Sequence, residues 1–149
     1  VTTTWLSAPH WLAVLRIGLG LWWVESFRHK NKAAWFDRQS GIQWAASVAE
    51  KHRWPFVRRA FDSVVAPRAK VMAYAVVLGE LAIGLGLVLG LLTPAAAIAS
   101  ILLNLSYFVL MIHDWAEQGQ NSMMILCAVV VLGAHAWQTW SLDSALGLF

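Results

Sequence analysis

The sequence predicts an all-α fold, an integral membrane four-helix bundle with short interfacial amphipathic helices between spans one and two. Three observations predict it. Hydrophobic residues make up 59% of the 149 residues and charged residues 13%, against about 45–50% and about 25% in soluble domains. Mean hydropathy is +0.59. Four segments are long and apolar enough to span a bilayer, which takes about 20 residues. Together these exclude disorder, a coiled coil and an ordinary soluble fold. The length suits a single membrane domain, residues 1–149.

The expected spans are Ala8–Phe27, Val71–Leu92, Pro94–Ile112 and Ser122–Leu142. The first lacks the basic start and small-residue cleavage site of a signal peptide, so it reads as a true span. Thr93-Pro94 turns spans two and three into a tight hairpin, because proline suits the first turn of a helix. Asn121-Ser122 offers an N-cap for the last span. Gly86 and Gly90 form a GxxxG, with Gly79 and Gly84 before it and Gly18 and Gly20 in span one; small residues let helices approach closely. Ten tryptophans fit an aromatic belt, with Trp5, Trp11, Trp137 and Trp140 at one interface and Trp22, Trp23 and Trp115 at the other.

The long connection Arg28–Lys70 holds ten Lys/Arg and three Asp/Glu, a formal +7, leaving −4 for the rest of the +3 chain. The positive-inside rule places it in the cytoplasm of a prokaryote, with both termini outside the cytoplasmic membrane. Within it, PFVRRAFDSVVA (Pro55–Ala66) sets Phe56, Val57, Ala60, Phe61, Val64 and Val65 on one helical face, opposite Arg58 and Arg59. Such a helix lies in the membrane surface, with Arg58 and Arg59 on anionic lipid. It serves as an interfacial connector, as a lid over a lateral opening, or as a docking surface for a partner subunit. Pro67 is expected to stop it. Ile42, Ala45, Ala46 and Ala49 make a weaker stripe in a preceding helix. Glu25 should pair locally with Arg28 and His29, and Lys30 and Lys32 should meet lipid phosphates.

Charges at bilayer depth are costly and usually face the bundle and pair. At a rise of about 1.5 Å per residue, Arg16 lies about 12 Å and Glu80 about 18 Å from the same membrane face. An arginine side chain covers that difference, so an Arg16–Glu80 ion pair near mid-membrane is expected. Asn104 and Tyr107 fall at the same level in span three. An arginine and a tyrosine hydroxyl can donate to a quinone carbonyl or an oxyanion, and a glutamate can carry the accompanying proton. The other reading of this cluster is structural, a buried pair that fixes helix register.

Other chemistries find little support. The one cysteine, Cys127, excludes a disulfide within the chain, a CxxC centre and a cysteine-built metal site. No metal is expected. His10, His29, His113 and His135 all sit at helix ends, without the register two haems would need, so haem is not expected. Met123 and Met124 read as packing. Walker, GxGxxG, HExxH and GxSxG patterns are absent. The basic excess belongs to the membrane loop, and no nucleic-acid partner is expected. Neither inverted repeats nor broken helices suggest a transporter.

Three stretches resemble the DoxX/DoxD family of small membrane proteins: LRIGLGLWWVES (Leu15–Ser26), GELAIGLGLVLGLLTPAAAIASILLNLSYFVLM (Gly79–Met111), and GQNSMMIL with the terminal SLDSALGL. The DoxD branch is the large membrane subunit of thiosulfate:quinone oxidoreductase, which oxidises thiosulfate to tetrathionate and passes electrons to quinone. The resemblance implies a four-helix bundle, a quinone-facing role and a DoxA-like partner chain. It carries over Arg16, Glu80, Asn104 and Asn121 as site residues. Two functions follow as expectations. One is an oxidoreductase subunit in which Arg16 and Tyr107 orient a quinone and Glu80 relays a proton. The other is a non-catalytic accessory subunit of a larger respiratory or photosynthetic membrane complex.

Overall fold

A computed structural model describes residues 6–149, and Trp5 of the expected belt lies outside them. Among the described residues the chain is helical, with no strand. The helices are α1 (Ala8–His29), α2 (Lys32–Arg38), α3 (Ser40–Glu50), α4 (Pro55–Ala60), α5 (Ala69–Leu89), α6 (Thr93–Leu110), α7 (Trp115–Gly133) and α8 (Leu142–Leu146). The four longest close a ring: α1 packs on α5 and α7, and α6 packs on α5 and α7. Among the described residues two helical runs, rather than the four expected, are long and apolar enough to cross a membrane, Pro55–Leu89 and Thr93–Leu110.

Local sequence explains most boundaries. Gly90 ends α5 in the left-handed conformation (φ 63°), where glycine carries no Cβ penalty. Pro94 sits in the first turn of α6, as expected. The last long helix differs from expectation: it starts at Trp115, not Ser122, because Asp114 caps it by accepting from the Ala116 and Glu117 amides. Asn121 is therefore no cap; it is buried nearly two turns inside α7. The helix ends at Gly133, and Asp143 and α8 return the chain over the bundle end where α5 turns into α6. That end is called the turn end below, and the opposite one the loop end.

Pro67 does not stop the helix. Residues 55–89 run on as one helical rod, through a π-turn at Phe61–Val65 and a 3₁₀ turn at Ala66–Arg68. A proline ring collides with the carbonyl four residues back, here that of Ser63. A wide turn is one way to relieve that clash, and here Ala66 N–H bonds the Phe61 carbonyl five residues back.

Two cores form. The main one joins Leu19 and Trp23 of α1 to Ile83 and Leu87 of α5, Ala97 of α6 and Met124, Ala128 and Val131 of α7. The second holds the connection in place, with Ile42, Ala45 and Ala49 of α3 on Phe61 and Ala73. The expected alanine stripe thus faces inward. Of the expected apolar face of the Pro55–Ala66 segment, Val57 and Phe61 are buried, whereas Phe56 and Val64 are exposed.

Close packing of α1 on α5 is built on one glycine pair. A Cβ on Gly84 would come within 2.8 Å of the Val24 nitrogen, and one on Gly20 within 2.8 Å of the Gly84 oxygen. Gly18 and Gly79 face open space instead.

Polarity is inverted relative to a soluble protein. Arg16, Glu80, Thr93, Ser100, Asn104, Asn121 and Asp143 are buried, while Leu85, Leu89, Ile98, Leu102, Leu105, Leu126 and Val129 are exposed. Apolar exposure on this scale needs a covering medium, and buried ionisable groups facing the bundle are the mark of membrane helices. Trp11, Trp22, Trp115 and Trp140 are exposed as an aromatic belt requires. Trp23 is not part of it; it is buried on the stripe it shares with Arg16 and Leu19, and donates to Ser100 Oγ at 2.9 Å.

Candidate functional site

Glu80 is fully buried at the middle of α5. Its Oε1 accepts from the Tyr107 hydroxyl of α6 at 2.9 Å. Its Oε2 accepts from Lys30 Nζ at 2.6 Å and from Ser26 Oγ at 3.3 Å. Lys30 Nζ also donates to Ser26 Oγ at 3.0 Å and lies 5.4 Å from the centre of the Trp35 ring. Three elements thus meet on one carboxylate: the end of α1, the middle of α5 and the last turns of α6. The Lys30 side chain is 16% exposed, and Arg28, His29 and Asn31 beside it are exposed. Glu80 therefore lies one lysine side chain away from a polar surface at the α1–α2 junction.

Arg16 is not at this site, and the expected Arg16–Glu80 pair is not formed. Arg16 is fully buried at the turn end, where Nη2 donates to the Trp140 carbonyl at 2.6 Å. A Cβ on Gly90 would run into its guanidinium. Its balancing charge is Asp143, also fully buried, whose carboxylate accepts from the Leu92 amide at 2.6 Å and the Thr93 amide at 2.8 Å. The register of α1 on α5 decides this. Ser26 lies level with Glu80, Gly20 with Gly84, and Arg16 with Gly90. Arg16 and Glu80 are ten residues apart along α5, about 15 Å, beyond the reach assumed from segment ends. Among the described residues, Arg16 Nε and Nη1 and the Thr93 hydroxyl have no hydrogen-bond partner.

Tyr107 is where it was expected. Asn104 is buried one turn before it, but its Nδ2 bonds the Ser100 carbonyl at 2.9 Å, not Glu80. Asn121 donates to the Glu117 carbonyl, and its Oδ1 has no partner among the described residues. The expected Glu25 pairs with Arg28 and His29 are present at 3.4 and 3.1 Å, both exposed. Lys30, expected on lipid phosphate, is the counter-ion of Glu80 instead. Sequence reasoning missed Lys30, Ser26 and Asp143. A signal for Lys30 existed: Arg16, Trp23 and Lys30 recur every seven residues, one inward stripe of α1.

Fold and site define a helical protein of membrane type with a buried, ion-paired acid between its helices. The chain belongs to the DoxX family, a membrane family, whose model matches residues 11–113. The match takes in most of α1 and all of α2 to α6, and with them Glu80, Tyr107, Lys30 and Ser26. No curated protein and no solved structure matched the chain.

Proposed function

We propose that the chain is a membrane-embedded subunit crossing the bilayer four times as one domain, and the quinone-facing part of a thiosulfate:quinone oxidoreductase-type complex. The observation that carries this reading is the Glu80 carboxylate, buried between a lysine ammonium and a tyrosine hydroxyl. An intramembrane ionisable group of this kind is a functional site by default. The donor set fits a quinone. Tyr107 and Lys30 are donors suited to a carbonyl, both at the edge of the core, and Glu80 is an acid that exchanges protons. A bound quinone would supply a two-electron, two-proton acceptor. Tyr107 and Lys30 would orient it, Glu80 would hold or release a proton at Oε2, and Asn104 would fix the Ser100 turn behind Tyr107. Electrons would come from thiosulfate through a DoxA-like partner chain.

In this reading the basic loop faces the cytoplasm of a prokaryote. Arg58 and Arg59, both exposed on α4, meet anionic lipid. The test is Glu80→Gln. Thiosulfate-dependent quinone reduction in membranes should fall at least about a hundredfold, the low end of what a positioned acid–base group contributes. Normal reduction at unchanged protein level would refute the mechanism.

A second reading rests on one observation: both Glu80 oxygens already accept bonds from the protein. The cluster is then a lock for helix register in an accessory subunit of a larger respiratory or photosynthetic complex. Native mass spectrometry of gently extracted protein separates the two. A DoxA-like chain or a bound quinone mass supports the first; recovery only within a large energy-transducing assembly supports the second.

A further inference from the structure

We propose that Lys30, steadied by Ser26, is the proton entry to Glu80, and that protons reach the buried carboxylate only from the loop side of the membrane. This rests on the reading of Glu80 as the working acid. Five observations carry it. Glu80 has no exposure of its own, so a proton must come through a neighbour. Its titratable hydrogen-bond partners are Lys30 and Tyr107. Tyr107 projects from α6 with its hydroxyl spent on Glu80. Lys30 makes the shortest contact, 2.6 Å, and is partly exposed beside the exposed Arg28, His29 and Asn31; Tyr107 and Ser26 are partly exposed too, at longer contacts of 2.9 and 3.3 Å. Ser26 bonds both Glu80 and the ammonium, which fixes the approach of one to the other.

The step balances without electrons. The Nζ–H bond of Lys30 breaks as the Oε2–H bond of Glu80 forms. Water at the α1–α2 junction then returns a proton to the amine. The net change is one proton moved from loop-side water to Glu80. A lysine can do this because its ammonium gives up a proton when desolvated, whereas an arginine keeps its charge. Lys30→Arg therefore retains the ion pair and removes the transfer, which a purely structural salt bridge would not notice.

The experiment uses the full chain in liposomes without quinone, with orientation assigned by trypsin cleavage in the basic 28–70 loop. The protonated-carboxyl infrared band of Glu80, identified by its loss in Glu80→Gln, is followed after acidifying one side. In the wild type the band should rise after acidification of the loop side. Its rise should slow about a hundredfold in both Lys30→Arg and Lys30→Met. A wild-type rate in Lys30→Arg overturns the proposal. So does a band that follows acid on the opposite face, or none on either face; these wild-type arms need no variant to fold. Because quinone is absent, failure here is separable from failure of the Glu80→Gln quinone assay.

Discussion

Two buried charges are stabilised in different ways in this chain. Glu80 has a full set of donors, Tyr107, Lys30 and Ser26, within hydrogen-bond distance. Arg16 has one acceptor, the Trp140 carbonyl, and relies on Asp143 for charge balance. Asp143 in turn satisfies two amides at the start of α6, which no residue before Thr93 caps with its side chain. It is a cap supplied from fifty residues away. Asp143→Ala should lower stability by about 2 kcal/mol, the upper end for losing a helix cap, because a buried cation loses its counter-charge as well. Chemical or thermal unfolding in detergent measures it. A loss below about 0.5 kcal/mol, the size of a neutral surface change, would mean that the carboxylate contributes neither cap nor charge.

At the scale of elements, the contact of α1 with α5 sets everything above it. Gly20 and Gly84 let the two backbones meet, and a Cβ at either position would sit within 3.0 Å of backbone atoms of the other helix. Gly84→Val should cost about 1–3 kcal/mol through overpacking and disturb the Ser26–Glu80 contact four residues away. Gly79→Ala, in open space on the same helix, should instead be neutral or stabilise by about 0.5–1 kcal/mol through backbone entropy. Equal melting shifts for the two variants would contradict the packing argument. The sequence pointed to small-residue contacts at the GxxxG of Gly86 and Gly90 and at Gly79, Gly84, Gly18 and Gly20, without separating the Gly20–Gly84 pair from the rest. Gly90 ends α5 at positive φ and also leaves room for the Arg16 guanidinium, a turn requirement and a packing one at the same position. Spacing alone does not separate the two uses of glycine. The same limit applies to Pro67: a proline is a reliable break in an isolated helix, but here a π-turn carries the rod past it.

The whole molecule is closed at one end by its own C-terminal segment. The Asp143 amide donates to the Gly90 carbonyl at 2.8 Å, and the Asp143 carboxylate holds Leu92 and Thr93. Removing residues 141–149 should leave the two cores intact but open the turn end. Hydrogen exchange at the Leu92 and Thr93 amides should then rise at least about tenfold, as for a loss of about 1.4 kcal/mol of local stability. Unchanged protection would show that the turn is held without the segment. At the loop end the connection is folded too, with Ile42, Ala45 and Ala49 packed on Phe61 and Ala73. It carries Lys30 and Trp35 to Glu80.

The helical class, the membrane character, the α5–α6 hairpin and a charged group at Glu80 with Tyr107 near it were legible in the sequence. They follow from local quantities: apolar content over about 20 residues, a proline in a first turn, and the cost of a charge among apolar neighbours. The partners of those charges were not legible. Pairing between antiparallel helices depends on their relative register, and a shift of a few residues moves a side chain by several ångströms. The Gly20–Gly84 contact fixed that register, and it placed Ser26 and Lys30, not Arg16, beside Glu80. Arg16 found its counter-charge in a segment that composition marks only as a tail, because only the folded-back chain brings Asp143 to the turn end. Sequence by itself determined which groups had to be buried and compensated. Tertiary structure decided which group compensates which, because that depends on distances between segments far apart in the chain.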